Sequence, residues 1–307
     1  MCHAPTIAQT PSGLVAAWFG GSKEGSPDCQ IWLSKSVNGE WERPRVVAKE
    51  IERDSTGGEY GVPHWNPVLC NTGEELWLFY KVGEKPWSWT NRLLISRDGG
   101  GTWEPTWWPL HIIGPDKNPP LVGAATLTWG SSVQAQQGYR GGSWLARIEG
   151  CDFGRKQFWM NSLSGMDAIQ PALLQVHGGN FTALCRTRGG FVAQSCFYQE
   201  ADDYWTDLRK TSLKNPNSAI AALSLEDDDH IGTDVVVYND SNTSRTPLVV
   251  ACRRHLAGWV NKVVLEDGEG SYAYPTVIAA IPGRLDIVYS VDRKYIQHKI
   301  VPLELLE

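Results

Sequence analysis

The chain has 307 residues and a formal net charge of −6, with 42% hydrophobic and 20% charged residues. That length holds a sizeable core in one domain or two. The acidic balance, with no Lys/Arg-rich run, argues against a nucleic-acid backbone as partner, and no apolar run reaches the roughly 18–20 residues of a membrane span.

Residues 1–13, MCHAPTIAQTPSG, show no basic segment followed by an apolar one, so no signal peptide is read there. The expected location is cytoplasmic by default, or secreted if a leader is missing. Short strand patterns bounded by turn residues then follow one another: GLVAAWFG (13–20), CQIWLSKS (29–36), ELWLFYKV (75–82), RLLISRD (92–98), FTALCRT (181–187), DVVVYND (234–240), PLVVACRR (247–254) and RLDIVYSV (284–291). No amphipathic helical pattern of about twelve residues interrupts them. The expected fold class is all-β.

One turn stands out. SRDGGGTW, from Ser96 to Trp103, follows the spacing S-x-D-x-G-x-T-W. Weaker copies end at Trp41 (SKSVNGEW) and Trp259 (CRRHLAGW), and looser ones at Trp159 and Trp205. A Pro-containing leading strand, a Gly turn and an apolar strand recur as well, as in HAPTIAQTPSGLVAAWF, HWNPVLCNTGEELWLFY, IQPALLQVHGGNFTALC and AYPTVIAAIPGRLDIVY. Repeats of roughly 40–60 residues holding several strands predict propeller blades, which bury their faces against one another. Six are expected, at 3–45, 64–108, 118–160, 168–207, 217–262 and 274–303, in one domain over 1–307. The last blade shows three clear strands. Little sequence precedes His3 to supply a closing strand, so either closure is incomplete or an N-terminal segment is missing. Within SRDGGGTW, Asp and Ser bond nearby N–H groups and the Trp packs between blades. A phosphate loop would need a following helix, and none is patterned.

The seven cysteines are scattered without a CxxC, which predicts buried free thiols rather than a zinc site or disulfide framework. The acidic run at 226–229 reads as a solvated turn rather than a calcium site. His111, His177, His230 and His255 lie in turn-like contexts and receive no role.

If leading strands line the axis, polar residues far apart in sequence converge there. They are His3, Lys23, Glu24 and Asp28; His64, Asn66 and Lys81; Lys117 and Asn118; Gln170, Arg186 and Arg188; Asn215, Asn217, Tyr238, Asn239 and Arg245; Tyr272, Tyr274 and Arg293. Two arginines with a lysine suit a carboxylate, and Trp65, Trp87 and Trp89 offer flat faces to a sugar ring.

SRDGGGTW resembles the Asp-box (BNR) repeat of the sialidase, or neuraminidase, superfamily, and the resemblance covers nearly the whole chain. HAP, GGSKEGSPD and PHWNPVL are similar to a divergent branch of it. The resemblance implies a six-bladed propeller with a central pocket and Asp boxes away from that pocket. It also implies residue roles. Sialidases open with Arg-Ile-Pro, whose Arg begins a triad that clamps the substrate carboxylate; here His3-Ala4-Pro5 stands in its place. Asp28 matches the general acid, Arg186 and Arg245 the other two arginines, and Tyr274 the nucleophile, with Tyr272 close by. The Glu that activates the Tyr has no counterpart: Ala168 stands there, beside Asp167 and Gln170.

The expected function is an exo-acting glycoside hydrolase on acidic glycans, with Asp28 or Glu24 as acid and Tyr274 as nucleophile or cation stabiliser. An alternative is β-elimination from a uronate, with Arg186 and Arg245 on the carboxylate, His3 or His64 as base and Tyr274 as acid. A non-catalytic glycan-binding propeller is the third. In each, Lys23, His64, Asn66, Lys81, Asn118, Gln170, Asn217, Tyr238 and Tyr272 are candidate sugar contacts. The partner is a glycan or small sugar, no metal or organic cofactor is implied, and oligomeric state is left open.

Overall fold

The computed structural model describes all residues except 54, 110–111, 136–143, 153–154, 156, 177–179, 199–203, 226–230 and 256. His111, His177, His230 and the acidic run at 226–229 therefore lie outside the described residues. Blade 1 is β1 (Cys2–Thr10), β2 (Gly13–Gly20), β3 (Gln30–Val37) and β4 (Glu40–Trp41), with β5 (Arg45–Ala48) also on β3. A small hairpin follows, β6 (Ile51–Arg53) and β7 (Glu59–Gly61). Blade 2 is β8 (His64–Asn71), β9 (Leu76–Val82), β10 (Thr90–Ser96) and β11 (Glu104–Thr106). Blade 3 is β12 (Leu121–Val122), β13 (Thr126–Gln134), β14 (Trp144–Asp152) and β15 (Gln157–Ser162). Blade 4 is β16 (Ala168–Val176), β17 (Asn180–Thr187), β18 (Phe191–Tyr198) and β19 (Tyr204–Trp205), with β20 (Arg209–Lys214) on β18. Blade 5 is β21 (Ala221–Ser224), β22 (Thr233–Asn239), β23 (Leu248–Arg254) and β24 (Val260–Glu266). Blade 6 is β25 (Tyr272–Ile278), β26 (Arg284–Val291) and β27 (Tyr295–Pro302).

The six sheets form a six-bladed β-propeller, as the repeat spacing predicts. Two short 3₁₀ turns, Pro86–Ser88 and Leu303–Leu306, are the helical elements among the described residues. No described helix is long and apolar enough to cross a membrane.

The core explains why runs such as DVVVYN are apolar throughout rather than alternating. Each blade is covered on both faces. Val235 and Val237 enter a cluster with Leu285, Ile287 and Tyr289 of blade 6. Val236 and Tyr238 point the other way, into a cluster with Leu174 and Leu184 of blade 4. Five major clusters fill the successive seams from blade 1 to blade 6. A smaller one, with Ile7, Leu14 and Val288, fills the seam where blade 6 meets blade 1. That last seam also relies on polar links. Cys2 N donates to Arg293 O at 2.8 Å, and Thr276 Oγ1 to Pro5 O at 2.8 Å. Among the described residues, no strand is shared between these two sheets. All seven cysteines are free thiols, five of them buried.

SRDGGGTW forms the turn between β10 and β11, at the outer side of blade 2. Asp98 accepts from Thr102 N at 2.8 and 3.0 Å, from Thr102 Oγ1 at 2.8 Å and from Ser96 Oγ at 2.8 Å. These bonds hold its carboxyl well below the usual range, chiefly through Thr102 N–H. Gly99 and Gly100 take φ of 66° and 87°, which an L side chain rarely adopts. Arg45 of blade 1 donates to Gly100 O and Gly101 O, and Trp103 packs into the blade 1–2 cluster. Trp41, Trp205 and Trp259 likewise reach the cluster shared with the preceding blade. The motif is a seam lock, as the sequence pattern implies.

Asp98→Ala should lower stability by about 1–2 kcal/mol, the scale of a lost side-chain cap. The group's native pKa lies below its unfolded value of 3.8. Its contribution is therefore present above that pH and lost as pH falls through the native value. Denaturation curves of wild type and variant should converge in acid. An equal gap at all pH values would contradict this role.

Candidate functional site

The leading strands carry a shared irregularity. Ala4, Asn66, Gln170 and Tyr274 have φ of 49°, 39°, 54° and 56°, and each precedes a proline. At each the ladder slips, between His3 and Thr6, Trp65 and Val68, Ile169 and Ala172, and Ala273 and Thr276. Proline removes a ladder donor, and the bulge turns the chain out of register. Asn217, just before β21, has φ 59°. Residues before proline normally stay extended, and left-handed backbone costs on the order of 1–3 kcal/mol at a non-Gly residue. The strain is thus concentrated where strands from four blades turn at the axis.

Tyr274 stands at the centre. Arg186, from the end of β17, donates from Nη1 to Tyr274 Oη at 2.9 Å and to Gln170 Oε1 at 3.1 Å, and from Nε to Asn217 Oδ1 at 2.8 Å. The Arg186 guanidinium lies 5.6 Å from the Trp144 ring centre, and Arg188 sits 3.9 Å over the same ring. Arg245, from the β22–β23 loop, lies 5.7 Å from the Tyr274 ring centre. Arg293, in the β26–β27 turn, pairs with Glu24 of the β2–β3 loop at 2.5 Å. Lys117 reaches from blade 3 to Pro275 O at 2.6 Å and Thr276 Oγ1 at 2.8 Å. Burial pushes Lys117 down to about 7.

His3 packs against the Tyr274 ring with centroids 4.4 Å apart. Its Nδ1 pairs with Ser290 Oγ at 2.9 Å, while its buried Nε2 has no partner. Burial first, then the charges of Arg293, Arg245, Arg186 and Lys117, push the imidazole well below 6.5. It is neutral at pH 7. Burial alone would raise the Tyr274 phenol. The charges of Arg186 and Arg245, with hydrogen bonds from Arg186 and Gln170, outweigh it, and the net direction is down. The shifts resolved for Tyr80, Tyr238, Tyr272 and Tyr289 are all upward, each chiefly from desolvation.

The structure thus joins His3, Gln170, Arg186, Asn217, Arg245 and Tyr274, with Glu24 tied in through Arg293. For other expected residues the structure shows local contacts. Asp28 is exposed and binds Ser22 N and Ser22 Oγ, both at 2.9 Å, stapling its own loop. Lys23 is exposed in that loop, its carbonyl accepting from Ser26 N and Cys29 Sγ. Asn66 holds the bulge of blade 2, and Asn118 Nδ2 donates to Pro171 O at 3.3 Å, tying blade 3 to the bulge of blade 4.

Four expectations need correction. His64 Nδ1 pairs with Val62 O and Cys29 O, and its ring stacks on Tyr80, so it belongs to the blade 1–2 seam. Lys81 is buried toward blade 3, bonded to Ile113 O and Gly114 O and paired with Asp116. Tyr238 faces the blade 4–5 core, its Oη donating to Asn261 Oδ1 at 2.8 Å. Tyr272 packs on the blade 5–6 cluster and bonds Glu269 O. In each case the covered face of the blade, not the axis, takes the side chain. Ser290 and Trp144 were not anticipated; both sit in strand runs with no pattern to single them out. Among the described residues, no three His, Cys, Asp or Glu side chains gather as metal ligands would.

Fold and site together define a propeller with a cation-lined axial centre. The chain belongs to the BNR repeat-like domain family, whose model matches residues 12–287. No curated protein matches it by sequence. Its fold is similar to that of the Hadza microbial sialidase Hz136, with TM-score 0.78 and 16% identity over 100% of this chain and 66% of that one. It is similar to the NanB sialidase from Streptococcus pneumoniae, with TM-score 0.75 and 10% identity over 100% and 69%. It is also similar to the Trypanosoma rangeli sialidase in complex with 2,3-difluorosialic acid, a covalent intermediate, with TM-score 0.73 and 14% identity over 99% and 54%. The chain spans roughly half to two thirds of the length of these sialidases, and its propeller is sialidase-like.

An ultraviolet phenolate titration should show one tyrosine ionising below the ordinary value of 10. Tyr274→Phe should remove that step, and Arg186→Met should move it upward. A titration unchanged in Tyr274→Phe would contradict the field described.

Proposed function

We propose that the protein is an exo-acting glycoside hydrolase on acidic glycans. The observation that carries this reading is the Tyr274 phenol held by Arg186 within a field of three arginines, in a protein of net charge −6. Such a field favours an anionic group. Arg186, Arg245 and Arg293 would hold the substrate carboxylate. Tyr274 Oη would attack the anomeric carbon as the bond to the leaving oxygen breaks. His3 Nε2 would accept the phenolic proton, in place of the missing Glu. Asp28, or Glu24 of the same loop, would protonate the leaving oxygen. Water would then release the sugar from Tyr274.

One observation favours a second reading. Among the described residues, the hydrogen bonds and ring contacts of the Tyr274 side chain include no carboxylate, and a neutral His3 lies against it. A neutral imidazole and a phenol are the base and acid of a β-elimination from a uronate.

A panel of acidic glycans, read for reducing ends and for the absorbance of an unsaturated uronate, separates the two. Hydrolysis gives new reducing ends without absorbance. Tyr274→Phe and Arg186→Met should each lower turnover at least about a hundredfold, and Asp28→Asn should lower it with natural leaving groups. Unchanged turnover in Tyr274→Phe would overturn the proposal.

A further inference from the structure

Blade 3 differs from its neighbours at the axis. Its first strand, β12, is two residues long, and the largely buried segment before it, residues 116–120 (DKNPP), forms neither strand nor helix. Two adjacent side chains of this segment reach across to the bulges of other blades. Asn118 Nδ2 donates to Pro171 O of blade 4 at 3.3 Å. Lys117 Nζ donates to Pro275 O of blade 6 at 2.6 Å and to Thr276 Oγ1 at 2.8 Å. The direction of the last bond is fixed, because the Thr276 hydroxyl has one proton and gives it to Pro5 O at 2.8 Å. Through Thr276, Lys117 therefore joins the bulge of blade 6 to that of blade 1.

These bulges are held by different chemistry. Pro5 O takes a neutral hydroxyl and Pro171 O a neutral amide, whereas Pro275 O takes an amine that is 1% exposed. Among the described residues no carboxylate pairs with that amine, and burial is the cause of its lowered pKa. A buried ammonium without a counter-ion is costly. Neutral donors suffice at the other two bulges, so ring closure alone does not call for a lysine. What sets the third bulge apart is the residue it carries. Tyr274 brings its phenol to 2.9 Å from Arg186 Nη1, on a backbone with φ 56° that residues before proline avoid. Such backbone persists where its surroundings over-determine it. Strand pairing does not do so here, since the β25–β26 register passes from Ala273 directly to Thr276. Lys117 binds the carbonyl and the side chain that immediately follow Tyr274, and its bonds are of the stronger, charge-assisted kind when it is protonated.

We propose that Lys117 is a positioning residue for Tyr274: its two hydrogen bonds hold the left-handed turn that presents the phenol to Arg186. That Tyr274 then acts on a glycan rests on the reading above; the hold on the phenol does not.

The test is the ultraviolet phenolate titration of the full chain, which needs no substrate. Lys117→Met keeps much of the side-chain length and removes the donors. Its Tyr274 step should move upward, toward the ordinary value of 10. Thr276→Val removes the second partner without changing charge, and should move the step in the same direction by less. Thermal unfolding identifies the variants that keep the fold. On an acidic glycan, Lys117→Met should lower kcat about a hundredfold, the scale of a small misplacement, with KM near wild type because the arginines remain. A Tyr274 step at its wild-type position in folded Lys117→Met overturns the proposal. So does a shift in that variant with none in Thr276→Val, which is the mark of charge alone. Should Lys117→Met not fold, Thr276→Val decides by itself, and an unmoved step overturns the proposal. A shifted step with unchanged kcat overturns the axial reading instead.

Discussion

The second strand of each blade is largely buried on both faces, and a ring of blades hides both. Val235 and Val236, adjacent in one strand, serve different neighbours. Closing the ring forces six leading strands to one axis, and everything functional follows from that convergence. Burial per seam is uneven. The seam between blades 6 and 1 has the smallest apolar cluster, and polar bonds at Pro5, Ser290 and Arg293 supplement it. Those bonds adjoin His3 and Tyr274, so ring closure and the organisation of the centre share residues.

The axial cluster is costly as an isolated object. Arg186, Arg245 and Arg293 repel one another in a partly dehydrated space. Asn217, Gln170, Glu24 and the Trp144 ring offset part of this, and no described contact removes it all. Left-handed backbone at Gln170 and Tyr274 adds strain. Uncompensated charge and strained backbone in one place mark a site whose counter-charge arrives with the ligand. The same field acts on the protein's own groups: it lowers the phenol and keeps His3 neutral.

Much of this was legible in the sequence. Pro-containing leading strands and Asp-box spacing gave six blades close to their actual bounds, because both signals are local. His3, Gln170, Arg186, Asn217, Arg245 and Tyr274, named from the leading-strand positions and the family resemblance, are brought together by the structure. Tyr238, Tyr272, Lys81 and His64 were misplaced because a strand buried on both faces loses its alternation. Nothing local then says which side chain faces the axis and which faces a seam. The bulges were invisible for a related reason: a proline announces a broken ladder, not the direction in which the chain turns.

The most direct measurement is a crystal structure of the protein with glucuronate or N-acetylneuraminate. The account predicts the carboxylate within hydrogen-bonding distance of at least two of Arg186, Arg245 and Arg293, with the sugar ring beside Tyr274. A bound acid lying outside the axial centre, with those guanidiniums still turned on Tyr274 and Glu24 alone, would contradict it.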